Sequence, residues 1–516
     1  MKTDRRSFLG SMMGAAALPA LQATVHASPK ADAVSPAELA ADPRRPQYHL
    51  LPAANWMNDP NGPIYWNGKY HMFHQYNPDG AVWGNMHWGH AVSDDMVHWQ
   101  HLPVALAPTA GSADADGCFT GTAAVVNGRV AIVYTGVRAS TLDEATIKDA
   151  KPPLRESQCL AFAGDAELTT WTKESAPVIA AAPAGMAVNG FRDPSPWRQG
   201  DWWYLVAACG MPNQGGAVLL YRSRDFRSWE YMHVLARRDR AGEAAFDSFD
   251  PWEVWECPEF FAIGDWHVLI FSTAGKVYWQ SGRLDKETMI FHRVQAGILD
   301  YGSFYAAKTQ LDKAGNRILW GWITEARPVE EYKAAGWAGV MSLPRTLSVA
   351  EDGGLRIGVA AAVNELRGQE QKLNASANEA SAQQQIEAIR LEQCCGEILC
   401  RLREDAGPFE LVLCGHDESA AWVTIEYNRG HTRQVSVDGR VLPPNLDLSR
   451  GLELHMYADG SVLEIFVNGQ IAWTKRFYPA GNAAQSLRVK CGMGAAGIEQ
   501  LSAWQITPIS SDRLTR

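Results

Sequence analysis

Positive charge is in short supply: 47 Lys and Arg stand against 57 Asp and Glu, a formal net charge of −10. Nucleic acids are held by clustered Lys and Arg, so a polyanionic partner is excluded. The nine cysteines (Cys118, Cys159, Cys209, Cys257, Cys394, Cys395, Cys400, Cys414 and Cys491) form no C-x-x-C pair and no zinc spacing. Nine is odd, so they cannot all pair within the chain, and most read as small buried apolar residues. H-E-x-x-H, G-x-S-x-G and a phosphate-binding loop are missing. Sustained helical periodicity is missing as well. Two near-matches fail. "GMGAAG" at 492–497 has the dinucleotide spacing, but only 19 residues follow it and "IEQLSAWQI" reads as a strand. "SADADG" around Asp114 and Asp116 has the start of a calcium loop, but the twelfth position is Ala123 rather than Glu.

The amino terminus reads as an address. Arg5-Arg6 is followed by Ser7, Phe8, Leu9 and the apolar run "SMMGAAALPALQATVHA", which is too short and too rich in Ala and Gly for a good spanning helix. The pattern resembles a twin-arginine export signal over residues 1–27, with a flexible segment at 28–45. The expectation is a periplasmic or secreted protein with no membrane anchor after signal removal. A chain folded in a reducing cytosol before export needs no disulfides.

Five segments then repeat one shape, a strand, a Gly turn and a strongly apolar strand. Their turn glycines are Gly68, Gly128, Gly200, Gly264 and Gly315, spaced 60, 72, 64 and 51 residues apart. "SDDMVHW", "AELTTW" and "SRDFRSW" each put an acid four or five positions before a Trp, as a turn into an outermost strand. Repeats of this length built from short strands predict an all-β fold, a five-bladed β-propeller over 46–355. A polar stretch rich in Ala and Gln, "VNELRGQEQKLNASANEASAQQQIEAI", reads as a linker or short helix, with the linker placed at 356–385. At 386–516, period-2 alternation with the turns "VDG", "ADG" and "VNG" predicts a C-terminal β-sandwich.

Asp59 lies nine residues before Gly68, Asp193 seven before Gly200 and Glu256 eight before Gly264. All three open the first strand of a repeat, the strand that lines a propeller's channel, so three carboxylates should meet at one mouth. Two carboxylates cleave a glycosidic bond when one is a proton donor and the other a nucleophile or base. Glu256, flanked by Trp255 and Cys257, is expected in a less polar cleft that favours its neutral form. Asp59, in the Asn-rich turn "NWMNDPNG", is expected to be held charged by amide donors.

The blocks "WMNDPNG", "QYNP", "HWGHAVSDDMVHW", "FRDP", "WECP" and "LPRTLSV", with the late "DGSVLEIFVNG", resemble glycoside hydrolase family 32, which contains invertases, inulinases and levanases. The resemblance covers residue 46 to the end. It implies retaining hydrolysis of β-fructofuranosides without metal or cofactor. In that reading Asp59 is the nucleophile, Asp193 the transition-state stabiliser and Glu256 the acid/base. Asn58, Gln75, Trp83, Phe119, Thr120 and Arg192 resemble fructosyl-pocket residues, and Arg192 would hold Asp193 ionised. Trp320 of "LWGW" is open between core and pocket. Cys257 reads as packing, and His74 and His87 as structural hydrogen-bonders. "FTGT" at 119–122 stands where the family usually has serines. The expected partner is a fructoside, sucrose or a fructan such as levan or inulin. A sucrose-specific invertase, a fructosyltransferase and a non-catalytic sugar-binding propeller are the alternatives; the last would be expected to lose one of the three acids.

Overall fold

The computed structural model describes residues 34–238, 252–373, 378–415, 421–429, 433–443, 445–478 and 486–516. The expected export signal over residues 1–27 lies outside them. The fold is all-β. Five four-stranded units follow one another, each an antiparallel sheet. Unit 1 is β1 Asn55–Trp66, β2 Lys69–Asn77, β3 His87–Ser93 and β4 Trp99–Leu106. Unit 2 is β5 Gly117–Val126, β6 Arg129–Ala139, β7 Leu154–Ala163 and β8 Trp171–Lys173. Unit 3 is β9 Asn189–Gln199, β10 Trp202–Met211, β11 Gly215–Ser223 and β12 Glu230–Arg237. Unit 4 is β13 Glu256–Ile263, β14 Trp266–Thr273, β15 Lys276–Leu284 and β16 Phe291–Asp300. Then come β17 Phe304–Leu311, β18 Arg317–Ile323, β19 Trp337–Ala338, β20 Val340–Met341, β21 Arg345–Val349 and β22 Leu355–Val359, of which β17, β18, β21 and β22 form unit 5.

The five turn glycines sit at the first hairpin of each unit with φ between +56° and +86°, a region where a Cβ is strained. The acid-to-Trp echoes fold the turns into β4, β8 and β12. Asp95 and Asp225 of the echoes accept the backbone N–H groups of His98 and Ser228, whereas the turn into β8 is held by Asp165, just ahead of "AELTTW", which accepts the Thr170 N–H in place of Glu167. First strands touch in a closed cycle, β1 on β5, β5 on β9, β9 on β13, β13 on β17 and β17 on β1. β19 seals it by pairing in parallel with β1, Asn55 opposite Trp337. Apolar side chains fill the space between units; Val133, Leu160, Phe191, Leu205 and Leu219 form one such cluster between units 2 and 3. Burying each of these apolar side chains stabilises by about 1.5–3 kcal/mol.

The carboxy-terminal region packs two sheets around Ile398, Leu411, Ile425, Leu454, Ile465 and Leu501. The expected strands form, and Asp438-Gly439 and Asn468-Gly469 make hairpin turns with both φ angles positive. One sheet is continuous with unit 4, because β16 meets the strand Ile471–Arg476 in parallel at Asp300 and Ala472. A buried polar cluster lies at this junction. Arg345 pairs with Asp300 at 2.9 Å and with Glu464, and His49 bridges Asp459 at 2.8 Å and Glu464 at 3.0 Å.

The described parts of the segment expected to be flexible and of the linker carry regular structure. In 34–45, Ser35 caps the helix Pro36–Ala41 with a capping box, Asp42 accepts the Trp337 indole N–H at 2.8 Å and Arg45 is fully buried. Across the linker, residues up to Val359 complete β22, Arg367–Lys372 pairs with the strand Ile498–Ile506, and Glu379–Glu387 forms the expected short helix. Polar composition concealed the helix Pro36–Ala41 and the strand Arg367–Lys372, because capped helices and edge strands tolerate it. All nine cysteines are buried and none is disulfide-bonded.

Candidate active site

Every first strand breaks register at the same level. Two residues bulge opposite one: Asn58-Asp59 in β1, Phe119-Thr120 in β5, Asp193-Pro194 in β9, Cys257-Pro258 in β13 and Ala306-Ala307 in β17. A bulge turns a side chain out of the pleat and kinks its strand. Proline, which cannot donate to the ladder, fits there or directly after, as Pro60, Pro194 and Pro258 do. Asp193, Cys257 and Ala306 hold φ of +60°, +50° and +55°. Asp59 is thus the second residue of its bulge, Asp193 the first of its own, and Glu256 stands just before one. Five bulges at one end of the ring explain why three distant acids converge.

They line one cavity of about 1410 Å³ together with Asn58, Gln75, Trp83, Phe119, Thr120 and Arg192. Asp59 accepts from Asn58 Nδ2 at 3.0 Å, from Thr120 Oγ1 at 2.6 Å and from the Cys257 thiol at 3.5 Å. Trp56 Nε1 donates to Asn58 Oδ1 at 2.7 Å and fixes that amide. Asp193 Oδ2 accepts the Cys257 backbone N–H at 2.8 Å, and the Asp193 N–H donates to Thr135 Oγ1. Glu256 accepts from Arg192 Nη2 at 2.8 Å through Oε1 and from the Tyr305 hydroxyl at 2.6 Å through Oε2. Arg192 also donates to the fully buried Glu156 at 2.9 Å. Gln75 Nε2 donates to the Cys118 carbonyl at 3.0 Å, and Trp83 meets Phe119 edge to face at 5.8 Å. Below, the fully buried Lys308 pairs with Glu259 at 3.1 Å.

Burial dominates the electrostatics. It pushes Asp193 up to about 7, against the pull of Arg192 and with the push of Glu256. It also raises Asp59, with hydrogen bonds from Thr120 and Asn58 opposing and the Glu256 charge adding. His74 is driven down to about 3 by burial, which suits a neutral structural ring.

Several expectations need correction. Trp320 is core: it is 1 % exposed and meets Trp99 edge to face, while Trp322 lines the cavity. The donors expected around Asp59 are present, and Asn58 and Thr120 favour its charged form, but burial outweighs them and shifts its pKa upward. Arg192 bridges neighbouring carboxylates, Glu156 and Glu256, and stands 4.0 Å from Asp193, whose pKa it lowers without outweighing burial. Glu256 is met by a cation and a hydroxyl, not by Trp255, whose ring stacks on Phe271 at 3.8 Å. Neighbours in a strand face opposite ways, so flanking residues do not wall a side chain. Cys257 packs as expected, but its N–H and thiol also touch two of the acids. In "FTGT", Thr120 supplies a hydroxyl to Asp59.

The reading by sequence missed Tyr305, Glu156 and Thr135. A signal for Tyr305 exists: Arg192, Glu256 and Tyr305 each stand one residue before the bulge of units 3, 4 and 5. The repeat puts them side by side at one level of the ring.

Comparison with known proteins places this geometry. Residues 49–357 match the glycosyl hydrolases family 32 N-terminal domain, and residues 362–505 the family 32 C-terminal domain. The chain is 35% identical to the sucrose-6-phosphate hydrolase of Escherichia coli over 492 residues, 89% of this chain and 94% of that one. It is 33% identical to an E. coli raffinose invertase, over 90% and 95% of the two chains. The structure of fructan 1-exohydrolase IIa from Cichorium intybus in complex with 1-kestose superposes with a TM-score of 0.72 at 26% identity, covering 90% of this chain and 98% of that one. The chain therefore belongs to glycoside hydrolase family 32, and the protein is a glycoside hydrolase of the fructosidase type.

Proposed function

We propose that the protein is a retaining β-fructofuranosidase that releases fructose from the ends of fructans and from sucrose, on a five-bladed propeller with a supporting sandwich. The closed cycle of five first strands supports the blade count. One observation carries the chemistry: Asp59, Asp193 and Glu256 open into one cavity from bulges of units 1, 3 and 4. Asp59 attacks the anomeric carbon as Glu256 gives its proton to the departing glycosidic oxygen. The fructosyl–Asp59 ester forms and the aglycone leaves as an alcohol. Glu256 then takes a proton from water, whose oxygen displaces Asp59 and frees fructose. Asp193 accepts hydrogen bonds from fructosyl hydroxyls, and Trp83 and Phe119 wall the ring. Tyr305 and Arg192 hold Glu256 in place. Residues 1–27 support export to the periplasm or medium, where polymeric fructosides are met.

The test is a product time course on levan, inulin and sucrose. Fructose alone from the start supports exo action on each substrate used. Early oligosaccharides would mean endo action, larger fructosylated products would mean transfer, and no cleavage would overturn the reading.

A further inference from the structure

At about 1410 Å³ the cavity has room for more than one sugar ring. Its outer wall consists of 143–149 between β6 and β7, the segment 181–189, and Trp252, whose surface is 63% exposed. We propose that this outer wall receives the leaving-group sugar and selects neutral aglycones, rejecting those that carry a phosphate. The inference rests on the fructosidase reading above and assigns the substrate class within it.

Charge carries the first part. Among the described residues the cavity lining has eight acidic and three basic side chains. Two of the cations are engaged. Arg192 spans Glu156 and Glu256, and Arg155 donates to Glu144 at 3.2 Å and to the Ala180 carbonyl at 3.0 Å. Lys148 is exposed beside Asp149 in the chain, and Asp143 lies on the same wall. A sugar phosphate brings about −1.5 to −2 charges at neutral pH. Its recognition calls for an Arg fork or a row of backbone N–H groups. The described outer wall instead meets it with carboxylates.

Surface chemistry carries the second part. Residues 181–188 read "AAPAGMAV", with no side chain able to donate a hydrogen bond. Together with the broad face of Trp252 they offer an apolar bed, which suits the C–H face of an uncharged sugar.

The experiment compares kcat/KM of the full protein for sucrose and for sucrose phosphorylated on its glucosyl 6-hydroxyl, at roughly 0.02 M and 0.3 M salt. Sucrose should be favoured by about tenfold at low salt, with the gap narrowing as salt screens the wall. Equal or better use of the phosphorylated substrate would overturn the proposal. The double variant Asp143→Lys, Asp149→Lys should raise the phosphorylated-to-plain ratio by about fivefold; an unchanged ratio would remove the charge argument. Trp252→Ala should raise KM for 1-kestose by about threefold or more, the scale of one lost aromatic contact, and an unchanged KM would take the aglycone away from this wall. Fructose from neither form of sucrose would defeat the fructosidase reading itself, and this inference with it.

Discussion

The Tyr305 hydroxyl donates to one oxygen of Glu256 at 2.6 Å while Arg192 Nη2 donates to the other at 2.8 Å. The carboxylate of unit 4 is thus gripped from both flanking units. Tyr305→Phe keeps the ring and removes one grip. A hydrogen bond to a charged group is worth ~1.5–3 kcal/mol, so kcat should fall about ten- to a hundredfold. KM should change far less, because Tyr305 acts through the proposed proton donor. Steady-state kinetics checks this, and an undiminished kcat would leave Tyr305 a spectator.

Glu256 and Asp59 should separate by leaving group. In Glu256→Ala, cleavage of sucrose should fall by ~10²–10⁴-fold, the usual worth of a general acid. A nitrophenyl fructoside needs little protonation, so its first step should survive and the fructosyl-enzyme should accumulate. Azide should then restore turnover, since it needs no base. Asp59→Ala should be inactive on both substrates. Burst kinetics with and without azide reads these outcomes. Equal losses on both substrates in Glu256→Ala, with no azide response, would take the acid/base role away from Glu256.

Asp193 should leave a signature in stability as well as activity. Its pKa rises from 3.8 to about 7 on folding. Between those values the folded protein binds more protons than the unfolded one, so this group makes stability fall as pH rises through the window. Asp193→Asn removes that slope. Relative to the parent, the variant should gain stability from pH 4 to pH 8, while losing most of its activity. Urea melts at the two pH values supply the comparison; parallel shifts at both would contradict it.

His49 should act in the same sense at the junction of ring and sandwich. Burial opposes its charge, but Asp459 and Glu464 outweigh burial and raise it from 6.5 to about 8. Its contribution should be full below pH 6.5 and lost as pH rises through about 8. His49→Ala should therefore destabilise more at pH 6 than at pH 9, by an amount on the order of 3–5 kcal/mol at the lower value. Thermal melts at both values test the sign.

The two tryptophans of β18 should behave differently. Trp320→Ala empties a buried site, which costs about 3–5 kcal/mol, and should leave KM near the parental value in whatever fraction folds. Trp322→Ala should raise KM, because Trp322 lines the cavity beside Trp56 and Tyr305. A KM effect confined to Trp320→Ala would invert this assignment.

Much of this was legible in the residues. Turn glycines and the phase of the acids follow from hairpin chemistry, which is local. Proline after Asp59, Asp193 and Cys257 marks three of the five bulges. Tyr305 stayed hidden because unit 5 has Ala306-Ala307 where units 3 and 4 have a proline, so nothing in its wording flags the bulge. Trp320 and Trp322 share a strand face, and period-2 reasoning cannot tell them apart. Depth along the strand decides, placing one against Trp99 and the other against Trp56. The grip on Glu256 was illegible for a related reason: it comes from neighbouring units, not from the residues beside it in the chain.

The parallel pairing of β19 with β1 joins Asn55 to Trp337, 282 positions apart. A ribosome adding ~5–20 residues per second needs roughly 15–60 s to deliver the second strand after the first. Through that interval β1 has a free edge able to pair with another chain. Contacts so distant in the chain also form slowly once both partners exist. Nascent copies synthesised close together therefore compete with β19 for the same edge until the second strand arrives.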